Sequence, residues 1–118
     1  MSVLANVLVG LVAALHAYFL VLEMFLWDTP YGRKTLGLSP EFAAASKALA
    51  ANQGLYNGFL AAGLVWGLTL GGGGGAVKTF FLACVIIAGV VGALTVGRKV
   101  LFVQALPAAA ALLLLLWA

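Results

Sequence analysis

Charged residues are scarce in this chain of 118 residues: aspartate, glutamate, lysine and arginine together make up only 8%. A soluble domain has about 25% charged residues. Hydrophobic residues make up 65% of the sequence. A membrane-spanning helix needs about 20 apolar residues, so four spans would use most of the chain. The composition therefore predicts an all-α, polytopic membrane protein with almost no mass outside the bilayer.

Cysteine and histidine are also scarce, and this limits the kinds of disulfide, nucleophilic and metal sites that the chain can form. Cys84 is the single cysteine, so an internal disulfide is excluded and a Cys/His nucleophile pair has no support. His16 is the single histidine, and with one nearby carboxylate it falls short of the three or four ligands of a metal site. We therefore expect no metal and no cofactor, and the sequence does not identify which residues, if any, are catalytic. The net charge of +3 comes without a basic stripe with interleaved aromatics, which argues against a nucleic-acid partner.

Apolar runs separated by turn residues predict four helices in a single transmembrane domain, residues 1–118. The predicted helices cover about residues 3–27, 41–70, 77–96 and 100–117. No basic residue precedes the first run, which contains His16 and Glu23, so we expect a retained span rather than a signal peptide.

Turn residues set the predicted helix ends. Thr29 precedes a proline, which disfavours the helical region, so the first helix should end there and residues 28–40 should form a loop. Ser39 can cap the second helix, and Pro40 suits its first position. The five glycines at 71–75 predict a flexible link. Pro107 should leave the carbonyl one turn back without its helical donor.

Basic residues predict the orientation of the helices. If both termini lie on the outer side, only Lys78 is external. The other basic residues are then cytoplasmic: Arg33, Lys34, Lys47, Arg98 and Lys99. Because cytoplasmic loops carry an excess of Lys and Arg, we predict a multi-pass protein with both termini outside.

Small residues at four-residue spacing occur in three of the predicted helices and would let helices approach closely. These seams are Gly10 and Ala14; Gly54, Gly58 and Ala62; and Gly89, Ala93 and Gly97. We expect them to pack the helices as a four-helix bundle. They are also candidate contacts of a homo-oligomer, alongside the lipid bilayer as a partner.

Polar side chains inside the apolar runs mark the candidate site, because such groups face protein or water and often have a function. The candidate ligand-binding residues are His16, Glu23, Asn52, Gln53, Tyr56, Asn57 and Gln104. Counted along the helices, Glu23, Gln53 and Gln104 lie about 5–7 Å inside the inner boundary of the membrane. His16 and Asn57 lie deeper. The sequence thus predicts a polar column that reaches mid-membrane.

Each of these residues also has a structural interpretation. Glu23 can form an ion pair at the inner boundary with Arg33, Lys34, Arg98 or Lys99. His16 can be a buried histidine bonded to a hydroxyl or a carbonyl. The amides can hold helices together, at about 0.6 kcal/mol each. The sequence leaves these interpretations open beside that of one shared polar cavity.

Several motifs together resemble a known family. They are His16, residues 22–25, Trp27 with Thr29-Pro30, and residues 37–42, 50–58 and 101–104. Over nearly its whole length the chain resembles the small bacterial four-helix membrane proteins of the domain of unknown function 1304 family. The run Ala-Asn-Gln-Gly-Leu-Tyr-Asn-Gly at 51–58 is the most specific part. The resemblance implies a four-helix fold in a bacterial inner membrane and no established activity.

Three functional hypotheses follow. In the first, the protein binds a small polar molecule or ion in the inner half of the membrane and acts as a small transporter or channel, since amides supply both donors and acceptors. Glu23 would carry a proton and His16 would extend a relay. In the second, it is a membrane enzyme or redox accessory that acts on a lipid-soluble substrate such as a quinone. In the third, it is an assembly subunit whose polar groups only fix packing.

Overall fold

A computed structural model describes residues 2–117, and within this range the chain is helical and contains no strand. Its helical elements are α1 (Ser2–Met24), α2 (Pro30–Leu36), α3 (Pro40–Thr69), a 3₁₀ turn (Gly71–Gly74), α4 (Gly75–Thr95), α5 (Arg98–Val100), a π-helical turn (Leu101–Ala105) and α6 (Leu106–Trp117). Three described stretches are long and apolar enough to cross a membrane: Val3–Met24, Gly71–Thr95 and Arg98–Trp117. They suggest a membrane protein, in agreement with the composition.

Helix α3 is the longest helix of the described chain but does not belong to those three stretches. Its 30 residues extend about 45 Å, more than the hydrocarbon core of about 30 Å. The amides of Asn52, Gln53 and Asn57 lower its hydropathy. The prediction of four spans therefore stays a prediction.

The segment predicted as a loop, residues 28–40, contains helix α2, so that prediction is wrong. Thr29 has extended backbone and its Oγ1 accepts a hydrogen bond from Gly32 N at 3.2 Å. Pro30 then occupies the first helical position, and Gly37 ends the helix in the left-handed region at φ 68°. The cap, the proline and the terminal glycine were all visible in the sequence.

Helix α3 begins as predicted, whereas α1 is shorter than predicted. Ser39 Oγ accepts a hydrogen bond from Phe42 N at 3.1 Å, which caps α3 just before Pro40. Helix α1 ends at Met24 instead of near residue 27. The last turn is loose, because Leu26 N donates to the carbonyls of both Val21 and Leu22.

The glycines that were predicted to form a flexible link have helical geometry in the structure. Gly71–Gly74 form a 3₁₀ turn and Gly75 is the first residue of α4. Gly71 has φ 60°, a conformation that glycine adopts without steric cost. A Cβ on Gly74 would collide with the backbone oxygen of Gly67. Close backbone approach therefore explains why glycine is needed at this position.

The last predicted helix is interrupted near its start. A π-helical turn follows α5, and Leu106 N donates to Leu101 O across five residues. Pro107 is the second residue after this turn. Because proline has no N–H and its ring crowds the carbonyl four residues back, the wider turn places the backbone where proline fits.

The helices form two compact units. Unit 1 contains residues 1–14 and 60–118, and unit 2 contains residues 15–59. The core of unit 1 is apolar and consists of Val9, Val12, Ala13, Leu64, Leu82, Val85, Ala108 and Ala111. Unit 2 has few large buried apolar side chains. Its buried residues include His16, Leu22, Ala43, Ala50 and Asn57.

The predicted small-residue seams form in part. A Cβ on Gly58 would lie 2.6 Å from Leu20 Cδ1, so this glycine does permit close packing in unit 2. Gly89 does the same in unit 1, where the Cβ of Ala105 would be 2.6 Å away. By contrast, a Cβ on Gly10 or Gly97 would meet nothing within 4 Å in the described chain.

Two further close contacts lie where no seam was predicted. In unit 1, Gly63 is covered by the ring of Phe81, and a Cβ on Gly67 would lie 2.6 Å from Lys78 Cγ. Ala62, which was assigned to the seam, is exposed. The small-residue face of α3 in unit 1 is therefore displaced by one residue from the predicted one.

Candidate functional site

A hydrogen bond in unit 2 joins two of the predicted site residues. Glu23 lies at the end of α1 and Asn57 lies in α3, 34 positions later. Asn57 Nδ2 donates to Glu23 Oε1. The Asn57 side chain is buried, with 4% exposure, and Glu23 is half-buried. The pair is thus a polar contact between two helices, and one of these helices can cross a membrane.

Glycines in α3 bring the two helices close enough for this bond. A Cβ on Gly54, one turn before Asn57, would lie 2.6 Å from Met24 Cγ and 3.1 Å from Glu23 Cβ. Gly58 contacts Leu20 in the same way. A larger side chain at either glycine would separate the helices. The two glycines therefore keep α1 and α3 close enough for the Asn57 amide to reach the Glu23 carboxylate.

The ion pair that was the structural alternative for Glu23 is not formed among the described residues. Within residues 2–117, the ion pair is that between Arg33 and Asp28, with Nη1 and Oδ1 2.8 Å apart. Arg33 was one of the four candidate partners of Glu23 in that alternative, and it binds instead to a carboxylate five residues away in sequence. The interaction described for Glu23 is the one with the neutral amide of Asn57.

The other polar residues of α3 lie on different sides of the helix. Asn52, Gln53 and Tyr56 are all exposed in the described chain. Asn52 and Asn57 are five residues apart, which places their side chains about 140° apart around the axis. Gln53 is one turn from Asn57 and so lies nearer to its side of the helix. The structure therefore does not place Asn52 or Tyr56 beside the Glu23–Asn57 pair.

His16 and Gln104 occupy different parts of the fold. The His16 side chain is fully buried in α1, two turns before Glu23, and its ring meets Phe19 edge-on with the ring centroids 5.3 Å apart. Gln104 is half-buried in the π-helical turn of unit 1. The predicted common level of Gln104 and Glu23 stays a prediction.

The Glu23–Asn57 pair has a defined chemical preference. Asn57 uses its amide N–H as donor, which leaves Asn57 Oδ1 and Glu23 Oε2 as acceptors of the pair. Glu23 is also the only acidic residue within the three stretches that can cross a membrane. Acceptors next to a carboxylate favour a cation or a molecule with several N–H or O–H groups. No group of three or more His, Cys, Asp and Glu side chains occurs in the described part of the chain.

Polar contacts that were not predicted join the segment after α1 to the first turns of α3. Trp27 Nε1 donates to Ser46 Oγ at 3.0 Å, and Ser46 Oγ donates to Phe42 O at 2.6 Å. The hydroxyls of Tyr18 and Tyr31 lie 2.7 Å apart, which joins α1 to α2. These contacts depend on how the helices are placed, so helix periodicity alone did not reveal them.

A second polar contact between helices, in unit 1, was also missed. Lys78 is buried, and its Nζ donates to Asn6 Oδ1 at 2.9 Å. Unit 1 contains no aspartate or glutamate in its sequence. Asn6 could have been selected from the sequence, because it is an amide inside an apolar run. Asn52 was selected by the same criterion. The burial of Lys78 was not visible in the sequence.

A family model matches residues 10–116 of the chain and is described as Protein of unknown function (DUF1304). The chain belongs to this family. The match to DUF1304 confirms the resemblance seen in the sequence motifs and covers every predicted site residue. Comparisons with curated proteins and with solved structures give no match. The description of DUF1304 assigns no activity, so a functional proposal has to rest on the site itself.

Proposed function

We propose that this DUF1304 protein binds a small cation, or a small polar molecule rich in N–H or O–H donors, at Glu23 and Asn57. The observation that carries the proposal is the hydrogen bond from a buried amide to a half-buried carboxylate that belongs to an apolar helix. Ionisable groups inside membrane helices are costly and commonly mark ion or substrate pathways.

The chemistry of the pair supports a cationic or donor-rich ligand. The amide N–H orients one carboxylate oxygen, and the second carboxylate oxygen and the amide oxygen are left as acceptors. Because Glu23 forms its described bond with a neutral group, its negative charge is not compensated by that partner. A bound cation would supply the compensation. Gln53 is exposed and lies one turn from Asn57, so its amide would be a further group that contacts the bound ligand.

The proposed setting is a bacterial inner membrane, with α3 as a fourth span and both termini on the outer side. Arg33 and Lys34 of α2, which follows the first apolar helix, support this orientation if α2 lies on the cytoplasmic side. Glu23 would then lie near the inner boundary, and His16 would lie about 10 Å deeper along α1. A transport role follows if the ligand moves past His16, and the protein would then be a small transporter or channel.

A purely structural role for the pair is the second candidate. It is favoured by the close packing at Gly54 and Gly58, which would hold the two helices together even without a ligand. Interhelical hydrogen bonds in membranes stabilise by about 0.6 kcal/mol on average. The two candidates differ in whether Glu23 has an affinity for anything outside the chain.

Binding is tested with purified protein in liposomes. Sodium, potassium, methylammonium and guanidinium would be titrated separately while the thermal unfolding temperature is followed, since a ligand of the folded state raises it. We expect at least one of these cations to stabilise the wild type and to lose its effect in Glu23→Gln. Glu41→Gln is the matched control, because Glu41 is exposed at the start of α3.

Flux measurements then separate binding from transport. Liposomes that contain the wild type, Glu23→Gln or Glu41→Gln would be assayed for uptake of the stabilising cation. Uptake by the wild type and Glu41→Gln but not by Glu23→Gln supports a transporter. Equal responses of all three proteins in both assays would exclude Glu23 as a binding group and favour the structural role.

A further inference from the structure

The charged residues are divided unevenly between the two units. All three acidic residues lie in unit 2, together with three of the six basic residues, so the charges of unit 2 balance. The other three basic residues, Lys78, Arg98 and Lys99, lie in unit 1, which has no aspartate or glutamate in its sequence. The formal net charge of +3 therefore belongs entirely to unit 1.

Lys78 differs from the other basic residues of unit 1 because its charge is not in the solvent. Arg98 and Lys99 are exposed, whereas Lys78 has 6% exposure and lies in a stretch that can cross a membrane. Among residues 2–117, Lys78 forms no ion pair, and its Nζ donates to the neutral amide of Asn6. Buried charges in proteins are normally paired, and charged side chains inside membrane helices commonly mark binding sites. The positive charge of Lys78 therefore lacks a compensating group in its unit.

The end of the Lys78 side chain can be reached from the surface. Its stem lies against Gly67 of α3, where an added Cβ would be 2.6 Å from Lys78 Cγ. From there the side chain extends to α1, where Nζ lies 2.9 Å from Asn6 Oδ1. Asn6 is exposed, although Lys78 is buried. A ligand that contacts the Asn6 amide would therefore also lie beside the ammonium group.

We propose that Lys78 and Asn6 bind an oxyanion of the phosphate class, supplied by a phospholipid headgroup or by free phosphate. The ammonium and the amide both have N–H donors beyond the one used in their mutual hydrogen bond. Lysine is a common phosphate-binding residue, and basic sites between membrane helices bind anionic lipid headgroups. A bound anion would supply the missing negative charge. This site does not rest on the Glu23–Asn57 pair, whose chemistry favours the opposite charge.

The position of the two residues along their helices favours a lipid as the source. Asn6 lies about 5 Å from the start of the stretch Val3–Met24, and Lys78 lies about 10 Å from the start of Gly71–Thr95. Their hydrogen bond places the starts of both stretches at the same membrane boundary. Lipid phosphates lie just outside the hydrocarbon at that boundary. Val3 and Val7 beside Asn6 are exposed and would contact the acyl chains.

Thermal unfolding of the purified protein in detergent tests binding, because a ligand of the folded state raises the unfolding temperature. The protein would be titrated separately with dioleoylphosphatidylglycerol, with dioleoylglycerol and with inorganic phosphate, at an ionic strength held constant with chloride. Dioleoylglycerol is the matched control, since it has the same acyl chains and no phosphate. We expect stabilisation by phosphatidylglycerol and none by dioleoylglycerol. Stabilisation by inorganic phosphate as well would identify free phosphate as a sufficient ligand.

Two variants test whether the charge of Lys78 is what binds. Lys78→Met keeps an unbranched side chain and removes the charge. Asn6→Asp places a carboxylate at the position that Lys78 Nζ already contacts, so the chain supplies its own counter-charge. Each variant should raise the dissociation constant for phosphatidylglycerol by about 10-fold or more, as for the loss of a hydrogen bond to a charged group. Lys99→Met, at an exposed lysine of the same unit, should leave it unchanged.

The same measurements can overturn the proposal. It fails if neither phosphatidylglycerol nor inorganic phosphate stabilises the wild type, or if dioleoylglycerol stabilises it equally. It also fails if Asn6→Asp binds as tightly as the wild type, which would make the Lys78–Asn6 bond a packing contact only. An equal loss in Lys99→Met would indicate general attraction to anionic lipid. If Lys78→Met does not fold, Asn6→Asp decides the outcome. Failure of Asn6→Asp to fold would itself contradict an uncompensated charge at Lys78.

Discussion

Replacing Gly54 by alanine tests whether close helix packing positions the site. The added methyl group would lie 2.6 Å from Met24 Cγ, 3.1 Å from Glu23 Cβ and 3.2 Å from Leu20 O. Favourable contacts between carbon atoms are about 3.5–4.0 Å long. The backbone oxygen of Leu20 cannot move without moving α1, so we expect the two helices to separate locally.

The magnitude is best measured against Gly10→Ala. A Cβ on Gly10 meets nothing within 4 Å, so that variant gains helix propensity without a clash. Alanine is favoured over glycine in a helix by about 1 kcal/mol, and overpacking costs about 1–3 kcal/mol. Since the propensity gain is common to both variants, Gly54→Ala should be less stable than Gly10→Ala by about 1–3 kcal/mol.

Reversible unfolding in mixed detergent micelles, followed by circular dichroism, gives the free energy of unfolding of both variants. The same samples would be tested for cation-dependent stabilisation, which should weaken in Gly54→Ala as the amide moves away from the carboxylate. Equal stability of Gly54→Ala and Gly10→Ala would show that the contact between α1 and α3 is looser than described and would refute the reasoning.

Two further predictions concern local backbone structure, and both use thermal unfolding in one detergent. Gly74→Ala should destabilise the protein by about 1–3 kcal/mol, because its Cβ would collide with the backbone of Gly67. Gly72→Ala is the control and should not destabilise it, because a Cβ at that position meets no neighbour. Equal effects of the two substitutions would contradict the geometry of the 3₁₀ turn. Thr29→Ala removes the hydroxyl that caps α2 and should cost about 0.5–2 kcal/mol, and Thr29→Ser should restore most of it. No loss in Thr29→Ala would show that α2 does not depend on its cap.

Helix boundaries were largely predictable because their signals are local. Ser39 before Pro40 marked the start of α3, and the structure has the expected hydrogen bond from Phe42 N. Helix α2 was missed even though Thr29-Pro30 is the same kind of signal, because a short polar segment between two apolar runs resembles a loop. Helix α2 has only seven residues and few apolar ones, so it shows no hydrophobic periodicity that would have identified it as a helix.

The composition of the site was predicted better than its geometry. Glu23 and Asn57 were both selected because polar groups are rare in apolar runs, and the structure brings them together. Their pairing was not predicted, because it depends on the rotation of α3 that Gly54 and Gly58 permit. Depth along the helices predicted a column of polar groups, but depth does not contain the angle of about 140° around the axis that separates Asn52 from Asn57.

Burial of Lys78 illustrates what sequence reasoning could not reach. A lysine near the end of an apolar run is normally expected at the membrane boundary with its charge in water. Here the absence of a side chain at Gly67 makes room for the lysine stem, and Asn6 from another helix accepts its hydrogen bond. Three separate elements determine this arrangement, and no local pattern contains them all.

The central claim is that Glu23 and Asn57 are held together for binding rather than for packing. Asn57→Leu tests it most directly, with the free energy of unfolding and cation binding measured on the same sample. If the pair serves binding, the variant loses cation binding and keeps its stability, since polar groups retained for function cost stability. If the pair only fixes packing, removing the donor leaves a carboxylate unsatisfied and costs about 1–3 kcal/mol. A loss of that size without any cation binding by the wild type would contradict the claim.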